Sequence, residues 1–278
     1  MRSFTLSLLV PILAQSVRAH TTVWSVWVNG VDQGSGKGIR HPAYNGPPLA
    51  TNPPFGTNSG FANGPVRDLS KIEMRCNVMG DIPAPDTIKV KPGDTVTLEW
   101  HHNNRTVADD IVDTSHKGPG IVYLSPDPPV GDSWVKIQQE AETTPGNWYT
   151  GGRLNARKGK QDVVIPQNLA PGFYLLRGEL LALHESDVAH TANLNRGIQI
   201  YIACIQLQVT GTGTLKLPTG VTFPGAYQED TPGIVYNLYI STAGQHYTIP
   251  GPPVWTAAAP SPTAPAYGPP VGFTINPR

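Results

Sequence analysis

Short apolar runs alternate with long stretches rich in glycine, proline and polar residues. Residues 21–29, TTVWSVWVN, are dominated by Val, Trp and Thr and predict a strand. In IKVKPGDTVTLEW, Ile88 and Val90 alternate, Pro92-Gly93-Asp94 turns, and Val96, Leu98 and Trp100 alternate again, which reads as a hairpin with one buried face. Further strands are predicted at Ile121–Leu124, Trp134–Ile137, Asp162–Ile165, Tyr174–His184, Ile198–Val209 and Tyr247–Ile249. Helical periodicity is scarce, so any short helices in the loops have no predicted position. The fold class expected is all-β: an immunoglobulin/fibronectin-like sandwich of two sheets with long surface loops.

Residues 31–70 keep neither a period of 2 nor one of 3.6 and read as one long surface loop, a length that usually signals function. After Trp255 the chain turns Pro/Ala-rich and is expected to trail along the surface or fray. The 29 Gly and 29 Pro suit many turns between short strands. Beyond the amino terminus no long apolar run predicts a membrane span.

The chain opens MRSFTLSLLVPILAQSVRAH. Arg2, the apolar run Phe4–Ala14, and the small residues Val17 and Ala19 have the form of a secretory signal peptide cut after Ala19. The organisation expected is a signal peptide at 1–19, a β-sandwich at 20–255 and a tail at 256–278, in a secreted, monomeric protein. Removal of Arg2 and Arg18 from a balance of 20 Lys+Arg and 20 Asp+Glu leaves a net charge of −2, which gives no electrostatic reason to expect nucleic acid or an anionic membrane as partner. The secretory route favours a disulfide between the only cysteines, Cys76 and Cys204, over two free thiols. Asn104-Arg105-Thr106 is the one glycosylation sequon and predicts an exposed loop.

After that cut His20 would carry a free α-amine beside its imidazole, so that two nitrogens could reach one metal ion. Eight histidines are present, at 20, 41, 101, 102, 116, 184, 190 and 246, with no HExxH and no close Cys/His set, so zinc is not signalled. GxSxG and phosphate-cradling motifs are absent. His116 sits beside the Gly118-Pro119 turn at the mouth of a strand, a good position for a metal ligand, though an ordinary loop histidine fits as well. His184 ends an apolar strand. Gln199 and Tyr201 share one strand face, where the tyrosine could approach a metal or simply fill the core.

The segments HTTVWSVWVNGVDQG, TSHKGPGIVYL, SWVKI, APGFYLLRGELLALH, GIQIYIAC, VTFPGAY and YTIPGPPVW occur in one order from His20 to about Trp255. With them the chain resembles the fungal lytic polysaccharide monooxygenases of auxiliary-activity family nine, formerly glycoside hydrolase family 61. The resemblance implies one copper ion per chain, held by His20 through its amine and ring, by His116 of the HxGP motif, and axially by Tyr201 of the QxY motif. It assigns catalytic roles to Tyr201, His184 and Gln199, the last two as outer-sphere groups, and matches Cys76–Cys204 to a family disulfide. A subgroup that acts on soluble cello-oligosaccharides is most similar, and it implies sugar contacts at His102 (with His101 as the neighbouring alternative), Asn103, Glu185, Asp187, Arg196 and Tyr239. The activity implied is oxidative cleavage of cellulose or related β-1,4-linked polysaccharide by hydroxylation at C4 and/or C1, with dioxygen or hydrogen peroxide as co-substrate and an external electron donor. Imidazole nitrogens suit copper, which heads the divalent affinity order.

Two other classes fit parts of the sequence. A non-catalytic carbohydrate-binding sandwich would share a flat aromatic face without converging histidines. A glycosidase would need two facing carboxyls, for which strand residues Glu99 and Glu179 are candidates.

Overall fold

The computed structural model describes residues 20–42, 63–240, 247–258 and 265–271. The expected signal peptide, the middle of the 31–70 loop and parts of the tail lie outside these residues. A four-stranded sheet has the order β2 (Val31–Ser35), β1 (Thr22–Val28), β5 (Thr95–His101), β8 (Lys160–Val164). The second sheet runs β3 (Ile39–Arg40), β10 (Gln199–Val209), β9 (Gly172–Ala182), β6 (Gly120–Pro126), β7 (Val135–Glu140), and β4 (Ile88–Val90) pairs in parallel with β10. Only two single-turn helices occur among the described residues, α1 (Glu73–Cys76) and α2 (Arg153–Ala156). This is the expected two-sheet sandwich.

Between the sheets, Val23, Val26, Leu98 and Trp100 meet Leu180, Ala182, Tyr201, Ala203 and Ile205 in one core. The larger sheet has a second core on its other face, where Leu181, Ile200, Ile202 and Cys204 are covered by Val66, Leu69, Met74, Trp148, Phe223 and Ile234. Burial of both faces explains why β9 and β10 read as continuous apolar runs rather than alternating ones. Cys76 and Cys204 form the expected disulfide, tying α1 to β10 across 128 residues. Chain-entropy models give closures of that length roughly 4–5 kcal/mol.

Three local expectations are corrected. Residues 88–100 are not a hairpin: β4 joins β10 in the larger sheet while β5 lies between β1 and β8 in the smaller one, and β5 is buried on both faces rather than one. The turn at Pro92–Asp94 carries the chain from one sheet to the other. The 31–42 stretch forms β2 and β3 instead of loop. Residues 247–249 form no strand; Tyr247 packs instead against Trp148 and Tyr236.

Residues 265–271 lie along the outside of the smaller sheet. The Tyr267 ring meets Trp27 edge-on at 5.5 Å, its hydroxyl donates to Asp162, and the Gly268 and Val271 amides donate to Gly30 O and Asp32.

Candidate metal centre

Antiparallel pairing brings distant residues to one end of the sandwich. His20 precedes β1, and Thr22 of β1 is opposite His101 at the end of β5. Gln199 opens β10 opposite Ala182 at the end of β9, just before His184, and Gly120 opens β6 opposite Leu180.

The HxGP segment extends the β6–β9 ladder outward: Leu181 N donates to Pro119 O and Leu183 N to Lys117 O, both at 2.9 Å. A Cβ on Gly118 would sit 2.0 Å from Leu181 O, so only glycine lets this segment lie so close to β9. That approach places the His116 ring 4.1 Å from the His184 ring and 5.8 Å from Tyr201. Tyr201 in turn meets the His20 ring edge-on at 6.5 Å. His20, His116 and Tyr201 are therefore gathered at this end, with His184 and Gln199 beside them.

The polar atoms form a directed chain. His116 Nε2 is 3.1 Å from the Tyr201 hydroxyl, and that hydroxyl donates to Gln199 Oε1 at 2.7 Å. Gln199 Nε2 donates to Glu185 Oε2 at 2.7 Å and faces His184 Nε2 at 3.2 Å. With the phenol proton directed to Gln199, His116 Nε2 faces an oxygen lone pair of Tyr201, and its Nδ1 faces the Ser115 hydroxyl at 3.2 Å. The Gln199 amide occupies its second hydrogen with His184 Nε2, which leaves a buried N–H at His184 Nδ1 with no hydrogen-bond acceptor among the described residues.

The donor set fits copper. Neutral imidazole is the ligating form, and burial, reinforced by His184 and His20, pushes His116 down to about 3. Burial, with His102 and Arg67 nearby, lowers His20 as well. His116 is fully buried, while His20 remains solvent-accessible. Burial pushes the Tyr201 phenol well above its usual range, so it stays protonated.

The residues expected to contact sugar fall in two groups. Glu185, Asp187 and Tyr239 surround His184: the Tyr239 hydroxyl donates to His184 O at 3.1 Å, and Asp187 pairs with Arg196. Tyr239 and Asn103 are exposed. His102 is buried against Asp110 at 2.9 Å, and its coupling to His20 sets it apart from His101, which is tied to Glu99. His102, Asp109 and Asp110 hold ligand atoms within 4.8 Å of one another, but Asp109 already accepts from the Asn103 and Asn104 amides and so closes the loop internally. Asn104 is half-buried, and its Oδ1 accepts from Thr106 N.

Glu99 and Glu179 do not flank a groove. Glu99 is buried under Trp27, His101 and Arg105 in one sheet, and Glu179 is buried between Arg177 and Tyr227 in the other. Sequence reading missed Arg67, whose Nη2 donates to Glu185 Oε2 at 2.7 Å, and Ser115. Arg67 stands in no motif or periodic run that would single it out, and Ser115, although inside the TSHKGPGIVYL segment, is overshadowed there by His116.

Comparison with known proteins agrees with this geometry. The model of Auxiliary Activity family 9 (formerly GH61) matches residues 20–247. An AA9 family lytic polysaccharide monooxygenase A of Phanerochaete carnosa is 42% identical over 88% of this chain and 85% of its own length. One from Aspergillus fumigatus is 40% identical over 88% of this chain, which spans 64% of that protein. The solved structure of CvAA9A superposes with a TM-score of 0.75 at 35% identity, covering 87% of this chain and 100% of its own. A cellulose-active polysaccharide monooxygenase from M. thermophila gives a TM-score of 0.58 at 29% identity, covering 85% of this chain and 99% of its own. The chain belongs to Auxiliary Activity family 9, the copper-dependent lytic polysaccharide monooxygenases.

Proposed function

We propose that the secreted protein, cut after Ala19, cleaves cellulose and soluble cello-oligosaccharides oxidatively by hydroxylation at C4 and/or C1. The observation that carries this reading is the gathering of His20, His116 and Tyr201, with His184 and Gln199, at one end of the sandwich. His20 would supply its α-amine and ring and His116 its Nε2, with the Tyr201 oxygen close by. Bound there, copper would supply one-electron redox chemistry with dioxygen or hydrogen peroxide and an external reductant.

The chain's own residues shape that chemistry. Tyr201 presents an oxygen lone pair towards His116, because its proton is held by Gln199. His184 and Gln199 are held in place by Glu185 and the chain of hydrogen bonds, which lets them orient a small oxygen co-substrate. A metal at an exposed end suits a packed polymer, which cannot enter a deep pocket. Tyr239, Asn103, Asp187 and Arg196 offer an exposed ring and hydroxyl-binding groups beside it, with Glu185 and His102 closer in.

Mass spectrometry of cellulose and cellohexaose digests, with copper and reductant and with or without peroxide, tests this reading. Oxidised oligosaccharides are expected. Hydrolytic products alone, or binding without products, would favour a glycosidase or a non-catalytic sandwich.

A further inference from the structure

We propose that Arg67 is a positioning residue for the metal centre, acting through Glu185 to fix which way round the Gln199 amide sits. The inference rests on the copper site described above.

A glutamine amide has two ends of nearly equal size, and only its neighbours decide which is oxygen and which is nitrogen. Gln199 touches Glu185 Oε2 at 2.7 Å, His184 Nε2 at 3.2 Å, the Tyr201 hydroxyl at 2.7 Å and the His116 ring, whose nitrogens, like those of His184, can serve as donor or acceptor. His184 can accept or donate, depending on its tautomer, and Tyr201 can do either. Only Glu185, an acceptor when ionised, distinguishes the two ends. A carbonyl turned towards it would set lone pair against lone pair.

Glu185 stays in that role because Arg67 Nη2 donates to the same Oε2 atom at 2.7 Å. Its side chain is 28% exposed, so without the guanidinium it has room to swing towards solvent. Arg67 is itself well placed to act as an anchor. It follows Val66, which bridges to Ile200 of β10 through two backbone hydrogen bonds, so its backbone is fixed to the strand that carries Gln199 and Tyr201.

The direction of the amide matters at the metal. In the observed order Tyr201 gives its single proton to Gln199 Oε1 and turns a lone pair to His116. With the amide reversed, Gln199 would donate to Tyr201, and the phenol proton would turn to His116 Nε2. It would then occupy the lone pair through which that nitrogen would hold copper. Arg67 thus protects a ligand it does not touch.

Arg67→Met and Arg67→Lys test the proposal in the mature, metal-free protein and after copper loading. The side-chain amide resonances of Gln199, assigned by comparison with Gln199→Glu, are read first by NMR without metal. Arg67→Met is expected to shift or broaden them and to weaken copper binding by about tenfold, the scale of one charge-assisted hydrogen bond. Arg67→Lys should restore much of both. Unchanged Gln199 amide resonances and copper affinity in folded Arg67→Met would overturn the proposal. If Arg67→Met fails to fold, Glu185→Gln removes the acceptor-only group instead; it should move the same resonances, and wild-type resonances there would overturn the proposal too. Because the amide readout needs neither copper nor substrate, an inactive wild-type enzyme would count against the proposed function and leave this inference standing.

Discussion

The His116 and His184 rings lie 4.1 Å apart, tilted by 34°, yet their partners give them different work. His116 turns Nε2 to the Tyr201 oxygen, whereas His184 turns Nε2 to the Gln199 amide. The Tyr201 ring also meets the His20 ring at 6.5 Å, so His116 and His20 share this neighbour.

His116→Ala is therefore expected to lose tight copper binding, while His184→Ala and Gln199→Ala keep it and lose turnover by about 10- to 100-fold. Calorimetry and oxidised-product yield separate the two effects. Full turnover in both Gln199→Ala and His184→Ala would remove these residues from the mechanism. Thermal melting must accompany His184→Ala, since its ring is partly buried.

The exposed Tyr239 ring should matter to sugars and not to metal. Its loss in Tyr239→Ala is expected to cost about 1 kcal/mol, or roughly fivefold in KM for cellohexaose, with copper affinity unchanged. An unchanged KM would place the soluble substrate elsewhere on the surface.

A pH effect is expected far from the metal. Lys136 is buried, donates to Pro250 O and Gln139, and burial pushes it down to about 8 despite the pull of Glu179. An unfolded lysine titrates near 10.4. Between those values the unfolded chain binds more protons, so this residue makes stability rise with pH, by at most ~1.4 kcal/mol per pH unit. Urea unfolding of wild type and Lys136→Met should diverge in that direction from pH 8 to 10. A pH-independent difference would show that Lys136 titrates normally.

The docked tail should stabilise the smaller sheet. Tyr267→Ala removes the edge-on contact with Trp27 and the hydrogen bond to Asp162, and is expected to cost about 1–2 kcal/mol, lowering Tm by roughly 2–8 °C. Copper affinity should not change. An unchanged Tm would mean that residues 265–271 add nothing to the fold.

Most strands were legible because they are apolar runs bounded by turns, and the ordered motifs singled out His20, His116, Gln199 and Tyr201. What failed were pairings, together with the short strands β2 and β3 and the 247–249 segment, which is no strand. Pro92-Gly93-Asp94 signals a turn, but local sequence says nothing about β4 joining β10, more than 100 residues away, or β5 joining β1. Arg67 was illegible for a related reason: its role comes from Glu185, 118 residues later, and no local pattern encodes that meeting.

The central claim is that His20 binds copper with its own α-amine. Copper titration by calorimetry should compare the mature protein, beginning at His20, with a form that keeps one extra residue before it. The mature form is expected to bind one copper ion tightly, and the extended form at least about 100-fold more weakly, because its nitrogen is an amide. Equal affinities would contradict the amino-terminal copper site.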